Sequence, residues 1–218
     1  MADSEGSIGV SLVKSALSGG AAEIAGDVAE LALDAALDQG VLKDVPVFGW
    51  LFKAYGITAT IKERIFLNKV AKFLHATAAV SDLDRETFRE KLSADLEFCR
   101  KVGENLVLLL DRHDNIDKAH ILGRVFSGYL RGEIDYDSFL KIASAVDRAT
   151  ISDLKRLEEH YRKMQSYDPK AGEPFASFLD DETSQSLYTA GLVRSEGYIE
   201  DTYHPNETGS QLIRLMNQ

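Results

Sequence analysis

The sequence predicts a mostly α chain, a multi-helix bundle with a small α+β unit at the C-terminal end. Three observations carry this. Apolar residues recur at helical spacing along most of the chain. Only four prolines interrupt its 218 residues, and residues 82–165 are almost without glycine or proline. Near the end, a short strand or hairpin stretch from Val193 to Tyr203 precedes a final helix.

Three regions differ in texture. Residues 1–80 are rich in small residues and glycine, and predict an apolar helical region. Residues 81–165 are charged and periodic, and predict an amphipathic bundle. Residues 166–218 hold three prolines, several glycines and most of the acidic excess.

The elements follow in order. "SIGVSLVKSALSGG" predicts a short helix stopped by Gly19 and Gly20. In "AAEIAGDVAELALDAALDQG", Ile24, Val28, Leu31 and Ala35 keep helical spacing, with Gly40 as the stop. A helix opening at Pro46 is expected to continue through "IKERIFLNKVAKFLHATAAV", with Ile61, Ile65, Val70, Phe73 and Leu74 as its buried stripe. Asp84 is the expected N-cap of "RETFREKL". "ADLEFCRKVGENLVLLLDRH" and "NIDKAHILGRVFSGYLRG" follow, the latter ending at Gly132. Asp135 is placed to cap the next helix. From Phe139 the apolar positions Ala143, Val146, Leu154, Leu157, Tyr161 and Met164 allow one helix of about eight turns at 3.6 residues per turn. A break near Asp147–Thr150 is the alternative. The loop "SYDPKAGEPF", a helix around "DDETSQSLYTAGL", the strand stretch and a helix from Asn206 complete the chain.

Composition bounds the function. Charged residues make up 28 % and hydrophobic ones 44 %, as in ordinary soluble proteins. The formal charge of −10 repels nucleic acid and anionic lipid. One cysteine, Cys99, excludes an intramolecular disulfide and a cysteine-based zinc site, and fits a reducing cytosol. The acidic start "MADSEGSIGV" does not read as a secretory signal.

"VPVFGWLFKAYGITATI", residues 45–61, carries only Lys53 as a charge. A spanning helix needs about 20 apolar residues, and this stretch is shorter, flanked by charges and interrupted by Pro46, Gly49 and Gly56. It reads as a core helix of a soluble domain. The alternative is conditional membrane contact through Phe48, Trp50, Leu51, Phe52 and Tyr55, with residues 7–61 inserting on a trigger.

Several look-alike sites fail on chemistry. In "RGEIDYDSF", taking Gly132 as the sixth position of a calcium loop places Ser127, Tyr129, Arg131 and Ser138 where carboxylates belong. The stretch reads instead as a helix corner with Ile134 packed inside. His113, Asp117 and His120 have the spacing of a two-histidine, one-acid metal site, but they flank an expected turn and read as solvated residues. His160 and Tyr161 sit among charges and read as surface. No GxSxG, GxGxxG or glycine-rich phosphate loop is present. Cys99 reads as a packed thiol. No catalytic residue, cofactor or metal ligand is assigned.

"SLYTAGLV", "RSEGYIEDTY" and "NETGSQLIRLM" together resemble the last part of a winged-helix unit. Ala190, Gly191, Leu192 and Val193 correspond to its corner, residues 197–203 to the wing, Asn206 to the helix cap and Gly209 to the close packing point before Leu212 and Ile213. The same ending, joined to helical N-terminal regions, resembles the bacterial abortive-infection alpha family, and that likeness implies a bacterial or prophage defence setting. No residue role is carried over from it. DNA binding by this unit is disfavoured, because residues 165–218 carry three basic residues against nine acids.

The expectation is therefore a non-enzymatic protein that works through a protein partner or self-association. The surfaces nominated are the "YHPNETG" loop, with Tyr198, Tyr203, His204 and Asn206, and the 139–164 helix. A membrane-active effector and a winged-helix DNA-binding regulator are the alternatives.

Overall fold

Several helices begin behind a short polar residue that closes their first turn. Ser7, Thr60, Ser81, Asp95, Asn115, Asp180 and Asn206 each accept a hydrogen bond from a backbone N–H two or three residues on. Those donors have no partner inside the helix, so each cap fixes where the helix starts. The computed structural model describes residues 7–21, 45–55, 60–166, 180–196 and 202–218. The expected helix over 22–40, its stop at Gly40, the loop after Ser166 and the tip of the hairpin with Tyr198 lie outside the described residues.

The chain divides into two compact units, Met1–Asp135 and Tyr136–Gln218. The first holds α1 (Ile8–Ala16), α2 (Pro46–Tyr55), α3 (Ile61–Ala76), α4 (Asp82–Ser93), α5 (Leu96–Arg112) and α6 (Ile116–Leu130). Helix α3 packs along α6, and α1 packs along both α5 and α2. Leu12, Val13, Phe48, Leu51, Val70, Phe73, Leu106 and Phe126 are buried in the core. Phe73 and Phe126 meet with ring centres 5.6 Å apart, and Phe88 stands edge-on to Tyr129 at 4.9 Å.

Two buried cations close helix ends in this unit. Arg85 donates to the carbonyls of Ala16, Thr77 and Val80. Lys69 donates to the carbonyls of Asp111 and His113 at 3.2 and 2.5 Å. Carbonyls at a helix C-terminus lack intrahelical donors and carry partial negative charge, so cations suit them.

Some expectations are corrected here. Helix α1 ends at Ala16, ahead of the glycines, and residues 19–21 are again helical. The stretch opening at Pro46 is not continuous with the next helix. Helix α3 starts afresh at Thr60, where a reciprocal bond with Glu63 forms a capping box. Its stripe is Phe66, Leu67, Val70, Phe73 and Leu74. Ile61 and Ile65 are 79 % and 44 % exposed, because they share a face with Asn68 and Lys72, about 100° away from Lys62 and Phe66. Ser81, not Asp84, caps α4. Asp84 lies in the first turn, and its carboxylate accepts from the Ser81 hydroxyl at 2.6 Å. His113 is buried rather than solvated, and its carbonyl accepts from the buried Lys69 ammonium that ties this turn to α3.

The second unit holds α7 (Tyr136–Arg148), α8 (Ile151–Ser166), α9 (Asp181–Ala190), β1 (Val193–Glu196), β2 (Thr202–Pro205) and α10 (Glu207–Met216). The chain breaks between α7 and α8, where Thr150 Oγ1 accepts from the Asp153 N–H. His160 is fully buried, against the expectation of a surface place. It stands three residues after Leu157, on the buried side of α8. Helix α9 ends at Gly191, whose φ of +83° suits glycine, and the Leu192 N–H returns to the Leu187 carbonyl. The strands pair antiparallel, with Val193 opposite Pro205 and Arg194 opposite His204. Helix α10 then seats against the corner. A Cβ on Gly209 would lie 2.1 Å from the Leu192 carbonyl oxygen, so only glycine allows this approach. Ile134, preceded by Gly132 at φ +71°, is buried in the first unit as expected.

Candidate interaction groove

Helix α2 divides its side chains between core and surface. Pro46 opens it without needing a donor, and the Val47 N–H bonds to Ser15 Oγ at 3.1 Å. Val47, Phe48 and Leu51 are buried. Trp50 and Ala54, one turn apart, face a groove of about 470 Å³ instead. Ile8 of α1, Phe66 of α3 and Val107 and Leu108 of α5 complete its apolar lining, and Lys62, Glu63 and Asp111 stand on it as polar groups. Leu108 is 59 % exposed.

Of the residues nominated for membrane contact, Phe48 and Leu51 lie in the core and Phe52 is half-buried. Trp50 is half-buried and lines the groove. Tyr55 closes α2. Among the described residues, no helix is long and apolar enough to cross a membrane.

The groups standing on the groove differ in their engagement. Glu63 accepts from the Thr60 N–H. Lys62 and Asp111 make no ion pair among the described residues. Behind Asp111, burial pushes the Lys69 ammonium below its ordinary pKa, while Asp111 and Asp114 pull it back up. The groove thus offers an apolar floor with one ammonium and two carboxylates. None of its described lining residues is a serine, threonine, cysteine or histidine.

The hairpin residues nominated for contact are placed differently. Tyr203 meets Tyr188 of α9 at 6.1 Å, edge to face, and its hydroxyl lies 3.4 Å from Gln185 Oε1. Tyr188 is half exposed and His204 half-buried. Asn206 is committed internally. Its Oδ1 accepts from the Gly209 N–H, and its Nδ2 donates to the carbonyls of Gly191 and Val193 at 2.9 and 3.4 Å.

The polar look-alikes do not assemble. Asp117 pairs with Lys72 at 3.1 Å and Asp114 with Lys118 at 2.7 Å, while His120 faces His75 with ring centres 6.0 Å apart. Among the described residues, no three His, Cys, Asp or Glu side chains gather to hold a metal ion. Cys99 is buried, and burial pushes its thiol pKa up.

The exposed apolar border was not legible beforehand. In "LVLLLDR" several neighbouring positions are leucine or valine, so spacing alone does not single out Leu108 as the outward one. Compared with known protein families, curated proteins and solved structures, the chain matches none.

Proposed function

We propose that this chain acts without catalysis, by seating another protein or a further copy of itself in the groove between α2, α3 and α5. The observation that carries the reading is Leu108, an exposed leucine at the edge of an apolar groove. Scattered exposed apolar residues are ordinary, but one continuous with an apolar hollow marks a contact site. The order helix–strand–strand–helix in the second unit, with Gly191 at its corner and Gly209 at its seat, supports the winged-helix resemblance. The acidic balance of residues 165–218 favours protein over nucleic acid as its partner. A cytosolic location is supported by the single, buried Cys99. A bacterial defence setting rests on the resemblance of the C-terminal sequence, and the genes neighbouring the coding sequence test it.

The groove is tested by comparing Leu108→Glu with Leu96→Glu. Leu96 is 74 % exposed at the other end of the same helix and does not line the groove. Cross-linking and co-purification from the native host are expected to lose the associated protein with the first variant and keep it with the second. Equal behaviour of the two removes the groove from the account.

A further inference from the structure

Resting on the groove as a contact site, we infer that its occupant is a second copy of this chain, docked about a two-fold axis. The argument is charge. Lys62 on α3 and Asp111 on α5 stand on the same groove, from different helices, both exposed and neither in an ion pair among the described residues. A two-fold operation sets each against its opposite: Lys62 meets Asp111 of the second copy, and Asp111 meets Lys62 of the second copy. An isologous contact repeats every pairing, so one ammonium and one carboxylate supply two complementary pairs. It also doubles the apolar patch, since the exposed Leu108 of each copy is brought to the same contact.

Other occupants fit less well. A strongly basic or acidic peptide finds both signs on the groove. An anionic lipid surface meets the carboxylates of Glu63 and Asp111 on the groove.

The test uses the full chain. Sedimentation equilibrium up to about 100 µM is expected to show a dimer for the wild type. Lys62→Asp and Asp111→Lys each place like charges at both pairings. Each is expected to weaken the dimer about tenfold or more. An equimolar mixture of the two variants restores both pairings across the contact and is expected to recover dimer. This recovery separates a contact between copies from an effect inside one chain. Leu108→Glu is expected to give monomer. Circular dichroism checks that each variant keeps its helices, as surface side chains should allow.

A dimer that survives Leu108→Glu, or a mixture that stays monomeric, overturns the inference. So does a wild-type monomer at the highest concentration. If that monomer still holds a different protein in a manner sensitive to Leu108, the groove reading stands and the second copy is excluded. If it holds none, both are lost.

Discussion

Gly9 of α1 and Gly103 of α5 meet backbone to backbone. A Cβ on Gly103 would lie 2.3 Å from the Gly9 carbonyl carbon, and one on Gly9 would lie 2.6 Å from that of Gly103. Neither helix can retreat cheaply, since α1 is also packed against α2. Gly103→Ala is therefore expected to cost about 1–3 kcal/mol through forced displacement. Gly132→Ala meets open space, and only its φ of +71° resists, so about 1 kcal/mol is expected there. Urea unfolding of both variants checks the order; a Gly103→Ala protein as stable as the wild type would deny the contact.

Arg85 anchors α4 to the ends of two other helices. It is buried, and its three bonds go to backbone carbonyls, Ala16 at the end of α1 and Thr77 and Val80 after α3. Burial pulls the guanidinium pKa down and Asp82 pulls it back up. Arg85→Met keeps much of the volume but leaves three carbonyls without a donor. At about 1–3 kcal/mol for each buried unsatisfied group, this variant is expected to be among the least stable in the chain. Arg89 also reaches α1, at the Leu17 carbonyl, but from an exposed side chain. Arg89→Ala is expected to change stability by less than about 1 kcal/mol. Parallel thermal melts of the two variants decide whether burial makes this difference.

Asn206 does two jobs that substitution can separate. Its oxygen caps α10, and its amide nitrogen bonds to carbonyls on either side of the corner, at Gly191 and Val193. Asn206→Ala loses both and is expected to cost about 1–2 kcal/mol for the cap, with the corner bonds in addition. Asn206→Asp keeps the cap and loses the donors, so it should fall between the wild type and the alanine variant. Should the aspartate and alanine variants unfold at the same denaturant concentration, the cap contributes nothing measurable.

What the sequence makes legible is local. Asn206 announces its helix because a cap needs only an oxygen and a nearby N–H. Gly209 stands out through the winged-helix resemblance, which implies a close packing point there. The break at Thr150 stays open in the sequence, since threonine also fits a continuous helical pattern; its hydroxyl decides by turning to the Asp153 N–H. His160 is hidden from sequence reasoning by its neighbours in "EEHYRK". Its burial is set by the packing of its unit, not by those residues. The groove is illegible for a related reason. Four helices far apart in sequence build it, and no short motif records their meeting. Trp50 stands out in the sequence as a candidate for membrane contact, not for a groove.

Two histidines predict how stability responds to mild acid. Burial holds His120 below the ordinary 6.5, helped by Arg124, His75 and Lys72 and opposed by Asp117. Burial also lowers His160, with His204 and Lys163 adding to it. A depressed pKa in the folded state means that the unfolded chain binds these protons first. The stabilising share of the neutral rings is therefore complete above the unfolded value of about 6.5 and is lost as pH falls through the lower folded values. The depressed carboxylates Asp114 and Asp180 act in the same direction, but from an ordinary value of 3.8 downward. The two windows are thus distinct. Urea unfolding is expected to show a decline between pH 7.5 and pH 5.5, and a His120→Gln, His160→Gln double variant should flatten that segment while keeping the steeper loss below about pH 4. A double variant with the wild-type slope between pH 7.5 and 5.5 would place the sensitivity on other groups.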